Sequence, residues 1–203
     1  MVADQLRRRG VHDERVLAAF ATVPREAFVD ADQQDLAYAD CPLPIGHGQT
    51  ISQPFVVALT AAALQLKPTD RVLEGGTGSG YAAAILAQLA ARVDTIERFE
   101  ALASSAAAAL ASYPNVAVHH GDGTLGWPER APYDAIAVAA AAPEAPPSLL
   151  GQLAIGGRLV VPIGNADRQM LTRIERTSET DYTRQIVCPV VFVPLVGREG
   201  WPE

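Results

Sequence analysis

Cysteine is nearly absent from this chain. Cys41 and Cys188 stand far apart, with no C-x-x-C pair and no metal-ligand spacing around either. They read as free thiols of a reducing compartment. Long apolar runs are also missing, and the first ten residues, which include Arg7, Arg8 and Arg9, hold no apolar signal core. The expectation is a cytoplasmic protein without a membrane partner. Positive charge is in deficit, with 16 Lys plus Arg against 23 Asp plus Glu and a net charge of -7. Nucleic acid is bound largely through positive charge, so it is set aside as a partner. The Arg7–Arg9 cluster reads as a solvated helix face. His119 and His120 are adjacent, hence on opposite faces of a strand, and do not suit one metal; no metal site is expected.

What is present is globular. The 203 residues (21.4 kDa) are 49% apolar and 19% charged, enough for one filled domain and short for two. A monomer is expected, with residues 1–53 as a helical cap and loop and residues 54–203 as the core. Val2–Arg9 reads as a helix ended by Gly10. Asp13 can cap a second helix, with Val16, Leu17 and Phe20 at helical spacing and a stop before Pro24. Pro24–Val29 fits one more turn. From Asp40 to Pro54 the chain has three prolines, two glycines and no period; a structureless segment of this length reads as a lid or binding loop. Pro54 suits the first turn of a helix to about Leu66.

From Arg71 strand and helix patterns alternate. Strands are expected at 71–74, 92–97, 116–120, 133–139 and 157–162, and helices at about 80–90, 100–112 and 146–154. That is an α/β, doubly wound, Rossmann-like sheet. After Gly164 the alternation breaks, and 168–175 and 183–193 read as an antiparallel hairpin joined by 177–181. A nicotinamide-binding Rossmann domain normally continues with a parallel strand and helix.

Gly76, Gly78 and Gly80 follow the first of these strands and precede a long alanine-rich helix from Tyr81. Alternating glycines let the backbone press against a ligand, and the helix start offers unpaired N–H groups. Gly78-Ser79-Gly80-Tyr81-Ala82-Ala83 satisfies the dinucleotide fingerprint G-x-G-x-x-A. Shifted by two residues, Glu74-x-Gly76-x-Gly78-x-Gly80 is the pattern of class I S-adenosylmethionine-dependent methyltransferases. The glycines alone leave both cofactors open. Glu97 ends the second strand about twenty residues on, where a carboxylate can take both ribose hydroxyls. Asp122, in Gly121-Asp122-Gly123 after the third strand, can accept from an adenine amino group, or simply shape a turn. Glu74 orders the glycine loop or faces the cofactor's amino group. Ala139–Ala142, after the fourth strand, either leave room for an acceptor within ~3–3.5 Å of a reacting methyl or serve as packing alanines.

Several further stretches carry a family resemblance: Val23-Pro24-Arg25-Glu26-Ala27-Phe28, Ile45-Gly46-His47-Gly48-Gln49-Thr50-Ile51-Ser52-Gln53-Pro54, Val72–Tyr81, Ile96-Glu97-Arg98, Gly121-Asp122-Gly123, Ala131–Asp134, Gly156–Leu159, Pro162–Gly164 and Val191–Leu195. On these the chain resembles the protein-L-isoaspartate (D-aspartate) O-methyltransferases over nearly its whole length; the Gly48–Pro54 loop is the most specific part. The resemblance implies S-adenosylmethionine held by Glu74, Gly76, Thr77, Gly78, Ser79, Gly80, Glu97, Asp122 and Gly123, with S-adenosylhomocysteine as product. It implies Ser52 as the active-site hydroxyl, and Thr50 and Ile51 beside it lining an acceptor groove for damaged proteins or peptides. The family methylates the stray α-carboxylate of L-isoaspartyl residues, and the ester collapses to a succinimide that reopens partly to aspartate. Gly75 stands where the family usually has a bulky aliphatic residue, a change expected to loosen the packing of the loop without removing a ligand group.

A carboxylate acceptor is ionised at neutral pH (reference pKa about 4), so no general base is required. Positioning and the shedding of water carry such a displacement, and Ser52 is assigned to orienting the acceptor. As a helix cap Ser52 is badly placed, because Pro54 at the first helical position puts Gln53 at the cap. The rivals are a carboxyl methyltransferase with another peptide acceptor, a non-catalytic S-adenosylmethionine-binding adaptor and, last, a nicotinamide oxidoreductase, for which no proton-transfer residue is evident.

Overall fold

The computed structural model describes residues 1–202. Its centre is a seven-stranded sheet built from β3 (Arg71–Gly75), β4 (Arg92–Glu97), β5 (Val116–His120), β6 (Tyr133–Val138), β7 (Leu153–Gly164), β8 (Gln169–Arg176) and β9 (Tyr182–Val190). The spatial order is β5-β4-β3-β6-β7-β8-β9; the first five strands run parallel and the last two pair antiparallel. The chain steps outward from β3 to β5 and then returns to the other side of β3. The strand order therefore reverses beside β3, which is where an open α/β sheet leaves a crevice at its carboxyl ends.

Alternation along the strands divides the core. Val72, Val93, Ala135, Val160 and Leu171 point to one face, and Leu73, Ile96, Ile136, Leu159 and Ile174 belong to the other. The first face carries α1 (Glu14–Thr22), α2 (Pro54–Leu64), α3 (Tyr81–Ala87) and part of α4 (Glu100–Ala109). The second face is covered by α5 (Pro147–Gly151) and the returning C-terminal segment. Leu6, Val16, Phe20 and Phe28 share the first core with the sheet. The N-terminal segment is thus packed onto the helical layer.

Asp13 caps α1 as its sequence suggests, accepting from the N–H groups of Arg15 and Val16 at 2.9 and 3.2 Å. Val2–Leu6 is a π-type turn followed by a 3₁₀ turn at Arg7–Arg9, closed by Gly10 in the left-handed region. Arg25–Phe28 and Ala31–Leu36 are 3₁₀ turns, so the N-terminal section is helical in short turns rather than in long helices. Helix α3 is only seven residues long against the 80–90 expected. Strand β7 is longer than its 157–162 expectation: five residues separate Leu153 and Arg158 where two separate their partners Tyr133 and Ala135. The pair Gly156-Gly157, which reads as a strand boundary, is a bulge inside a continuous strand.

The 40–54 segment is not structureless. Leu43–Pro44 (β1) pairs antiparallel with Thr50–Ile51 (β2), and the tip Gly46-His47-Gly48 is left-handed throughout, with φ of 85°, 51° and 68°. Two prolines hide the strand period, and glycines on both sides of His47 permit the tight reversal.

Candidate active site

The end of β3 turns into the glycine loop. Gly76 and Thr77 donate to the Ile96 carbonyl at 2.8 and 3.2 Å, fastening the loop to the end of β4. At Gly80 (φ +90°) a Cβ would fall 2.9 Å from Leu110 Cδ1, so helix α4 packs where a side chain would stand. At Gly78 (φ +54°) a Cβ would press on Ile45 Cδ1 at 3.2 Å, because the β1–β2 hairpin lies over the loop. Gly75 sits in register between Ile96 and Val138, and the Gly123 carbonyl lies 3.4 Å from where its Cβ would be. A Cβ there would make ordinary van der Waals contact with the turn after β5 and with Val138.

Above the glycine loop is an open cleft, lined by backbone and side chains of several segments of the chain. Gly76, Thr77, Gly78 and Ser79 form its floor, and Glu97, Arg98 and Phe99 one wall. Gly123 and Ala139 lie at the back, residues 193–196 form the roof, and Thr50, Ile51 and Ser52 close the front. A wider groove continues outward past Pro42, Gln53, Val56, Gln169 and Phe192. A small, mostly apolar cavity lies inward, with Glu74 in its wall. Ser52 and Ala139 border all three spaces, and of the two only Ser52 has a side chain that can hydrogen-bond.

The carboxylate of Glu97 is 5% exposed as a residue and accepts from Gly78 N–H (Oε2, 2.9 Å) and Phe99 N–H (Oε1, 3.0 Å). Each oxygen keeps a lone pair for a further donor. A cofactor diol, with two O–H donors, fits that pair of acceptor oxygens, and the floor from Gly76 to Ser79 carries no side chain larger than threonine. Ser52 Oγ has no hydrogen-bond partner among the described residues. Helix α2 takes its cap from elsewhere: Asp40 Oδ1 accepts from Phe55 N–H at 3.3 Å and Asp40 Oδ2 from Gln53 Nε2 at 2.9 Å. The Ser52 hydroxyl is therefore not spent as a cap.

Three residues singled out in the sequence do not line the cleft. Gly80 caps α3 and faces Leu110. Glu74 is buried and accepts from Thr95 Oγ1 at 2.6 Å; Thr95 in turn lies 2.7 Å from Thr77 Oγ1. Burial lifts the Glu74 carboxyl to about 8, opposed by the Thr95 bond and reinforced by the charge of Glu97. Asp122 accepts through Oδ1 from Thr124 N–H (2.9 Å) and Thr124 Oγ1 (2.7 Å), and through Oδ2 from Arg198 N–H at 2.8 Å. Burial pushes this carboxyl up, but those bonds outweigh it and hold it below the ordinary aspartate value. It ties the C-terminal segment to the turn after β5.

The sequence reading found Glu97 but missed the roof and the Phe99 part of the wall. Val193 and Leu195 belong to an extended strap that pairs with Ala141 on both sides: Ala141 N–H donates to Val193 O and Leu195 N–H to Ala141 O, each at 2.8 Å. Gln169 holds the strap as a strand would, accepting from Phe192 N–H at 2.7 Å and donating to Phe192 O at 3.2 Å. Phe99 carries His47 stacked on it at 5.2 Å. An aromatic residue two places after Glu97 was the available signal for that wall. His119 and His120 are engaged separately, with Asp94 (2.9 Å) and the Arg98 carbonyl (3.1 Å), and no cluster of three metal-ligating side chains occurs among the described residues.

Comparison with known proteins agrees with this architecture. The family model described as protein-L-isoaspartate(D-aspartate) O-methyltransferase (PCMT) matches residues 1–200. The protein-L-isoaspartate O-methyltransferase 2 of Pelobacter propionicus is 56% identical over 204 residues, covering 99% of this chain and 91% of that protein. The protein-L-isoaspartate O-methyltransferase 1 of Rhodopseudomonas palustris strain HaA2 is 59% identical over 204 residues, covering 99% and 83%. A crystal structure of the Plasmodium falciparum putative protein-L-isoaspartate O-methyltransferase, in complex with S-adenosyl-L-homocysteine, superposes with a TM-score of 0.83 at 27% identity over 96% of each chain. The fold, the glycine-loop cleft and these matches place the chain in the protein-L-isoaspartate (D-aspartate) O-methyltransferase family.

Proposed function

We propose that this chain is a protein-repair enzyme that moves a methyl group from S-adenosylmethionine to the α-carboxylate of L-isoaspartyl residues in damaged proteins and peptides. The observation that carries the reading is the place of Ser52, a hydroxyl at the junction of the glycine-loop cleft and an open outer groove. Glu97 holds the ribose hydroxyls; Gly76, Thr77, Gly78, Ser79 and Gly123 supply close backbone approach. Glu74 and Gly80 act by ordering the loop, and Asp122 by fixing Gly123 and the roof. When bound, S-adenosylmethionine supplies an electrophilic methyl on a sulfonium. The protein's part is placement: Ser52 donates to one oxygen of the acceptor carboxylate, Thr50 and Ile51 line its approach, and Ala139 leaves space beside it. The β1–β2 hairpin and the strap keep water from the acceptor. No proton has to be removed.

The chain works as a single unit, 1–53 serving as cap and acceptor loop and 54–203 as cofactor core. The shared apolar core of Leu6, Phe20 and Val72 supports this. Two unpaired cysteines support a reducing, cytoplasmic setting, and no helix among the described residues is long and apolar enough to cross a membrane. A monomer is expected, checked by light scattering. The functional assay compares methyl transfer to an isoaspartyl peptide and to its aspartyl twin. Base-labile ester on the isoaspartyl peptide alone is the expected result. Equal transfer to both would assign a different acceptor, and tight cofactor binding with no ester would make the chain an adaptor.

A further inference from the structure

Arg25 is wholly buried, at 0% exposure, and heads the largest side chains so enclosed. A buried cation ordinarily requires a carboxylate partner, because its desolvation costs several kcal/mol. None of the ion pairs among the described residues involves Arg25. Its guanidinium is met by main-chain carbonyls instead. Nε donates to Ala37 O at 2.7 Å, one terminal nitrogen to Ser52 O at 2.9 Å, and the other to Cys41 O at 3.4 Å. On one side it lies over the ring of Tyr81, 5.0 Å from its centre. Tyr81 is the first residue of α3, directly after the glycine loop, and borders the cleft.

Cys41 and Ser52 flank the β1–β2 hairpin, so one planar group grips both of its ends and rests on the residue that follows the glycine loop. Ser52 Oγ has no hydrogen bond of its own among the described residues, so the backbone that carries Ser52 sets the position from which the hydroxyl reaches into the cleft. That backbone is held at the Ser52 carbonyl by Arg25. A fork with rigid donor geometry suits this task, whereas a lysine ammonium is a point charge on a flexible stem.

We propose that Arg25 is a positioning residue for methyl transfer: by clamping the carbonyls of Ser52 and Cys41 against Tyr81, it holds the Ser52 hydroxyl at the mouth of the cofactor cleft. The proposal rests on the methyltransferase reading of that cleft. It separates two roles in one stretch of chain, with Ser52 touching the acceptor and Arg25 acting only through Ser52.

The test uses the full chain and an isoaspartyl peptide. Arg25→Lys is expected to lower kcat by about 10- to 100-fold, the loss that follows a small misplacement of a reacting group, while S-adenosylhomocysteine affinity by calorimetry is unchanged. Added to Ser52→Ala, it should cost nothing further, since the two act in series. Additive losses, or a fall in cofactor affinity matching the fall in rate, would overturn the proposal. Should Arg25→Lys fail to fold, hydrogen exchange in the wild-type protein decides. The Arg25 Nε–H signal should be slow to exchange and should be lost in step with the amide of Ile51, which is paired with Leu43; exchange faster than that amide overturns it. If the wild-type protein transfers no methyl to the peptide, the functional reading fails, and the exchange pattern still reports whether Arg25 holds the loop.

Discussion

Glu97 accepts the Gly78 N–H at 2.9 Å, so the last residue of one parallel strand and the middle glycine of the loop after its neighbour form one unit. The same carboxylate accepts from Phe99 at the head of the following helix. It orders the loop before any ligand arrives, and it offers the spare lone pairs that a ribose diol requires.

Replacing Glu97 by Ala should therefore weaken S-adenosylhomocysteine binding on the order of 100-fold, or ~3 kcal/mol, since two hydrogen bonds to a charged group vanish and two partly buried N–H groups lose their acceptor. Isothermal titration measures this. Unaltered affinity would remove Glu97 from the binding site.

Ser52→Ala should lower kcat with the isoaspartyl peptide by about 100-fold, the scale of a donor lost from a reacting oxygen. Cofactor affinity should hold, because the hydroxyl contributes nothing to the glycine loop. A mutant with wild-type turnover would end its role in the mechanism.

Glu74 sets a pH dependence. Its carboxyl is raised to about 8 by burial, against a model-peptide value near 4.3 in the unfolded chain. Between those two values the folded protein keeps a proton that the unfolded chain has released. Stability therefore falls as pH rises through this window, by up to about 1.4 kcal/mol per pH unit. Glu74→Gln preserves an acceptor for Thr95 and should remove the slope, leaving the variant more stable than wild type near pH 8. Urea denaturation at several pH values checks this, and parallel slopes would refute it.

Asp122→Ala removes the acceptor of Thr124 N–H, Thr124 Oγ1 and Arg198 N–H together. The C-terminal strap should loosen, with a loss of roughly 1–3 kcal/mol in stability and weaker cofactor binding. Proteolysis near Arg198 should be faster. A variant with unchanged protease sensitivity would mean that the strap is held elsewhere, through Ala141 and Gln169.

Much of the sheet was legible because buried parallel strands are short apolar runs and the glycine turn has few other uses. Strand positions from Arg71 to Val138 matched to within a residue. Helix lengths were less legible: the alanine-rich stretch after Gly80 would suit a long helix, yet the chain leaves α3 at Ala87 to reach β4. The β1–β2 hairpin was hidden by Pro42 and Pro44, and the bulge in β7 by glycines that resemble a boundary.

Local chemistry in the chain was sufficient to announce the glycine loop, the carboxylate at the end of β4 and the Ser52 stretch, because φ > 0 turns, strand-end acids and proline-initiated helices each leave a short-range mark. Tertiary packing alone decided what those groups do with their hydrogen bonds. Asp122 is turned toward Thr124 and Arg198, Asp40 rather than Ser52 caps α2, and Arg25 binds carbonyls 12, 16 and 27 residues away. A hydrogen bond is chosen by which partner lies within about 3 Å in space, and separation along the chain carries no record of that.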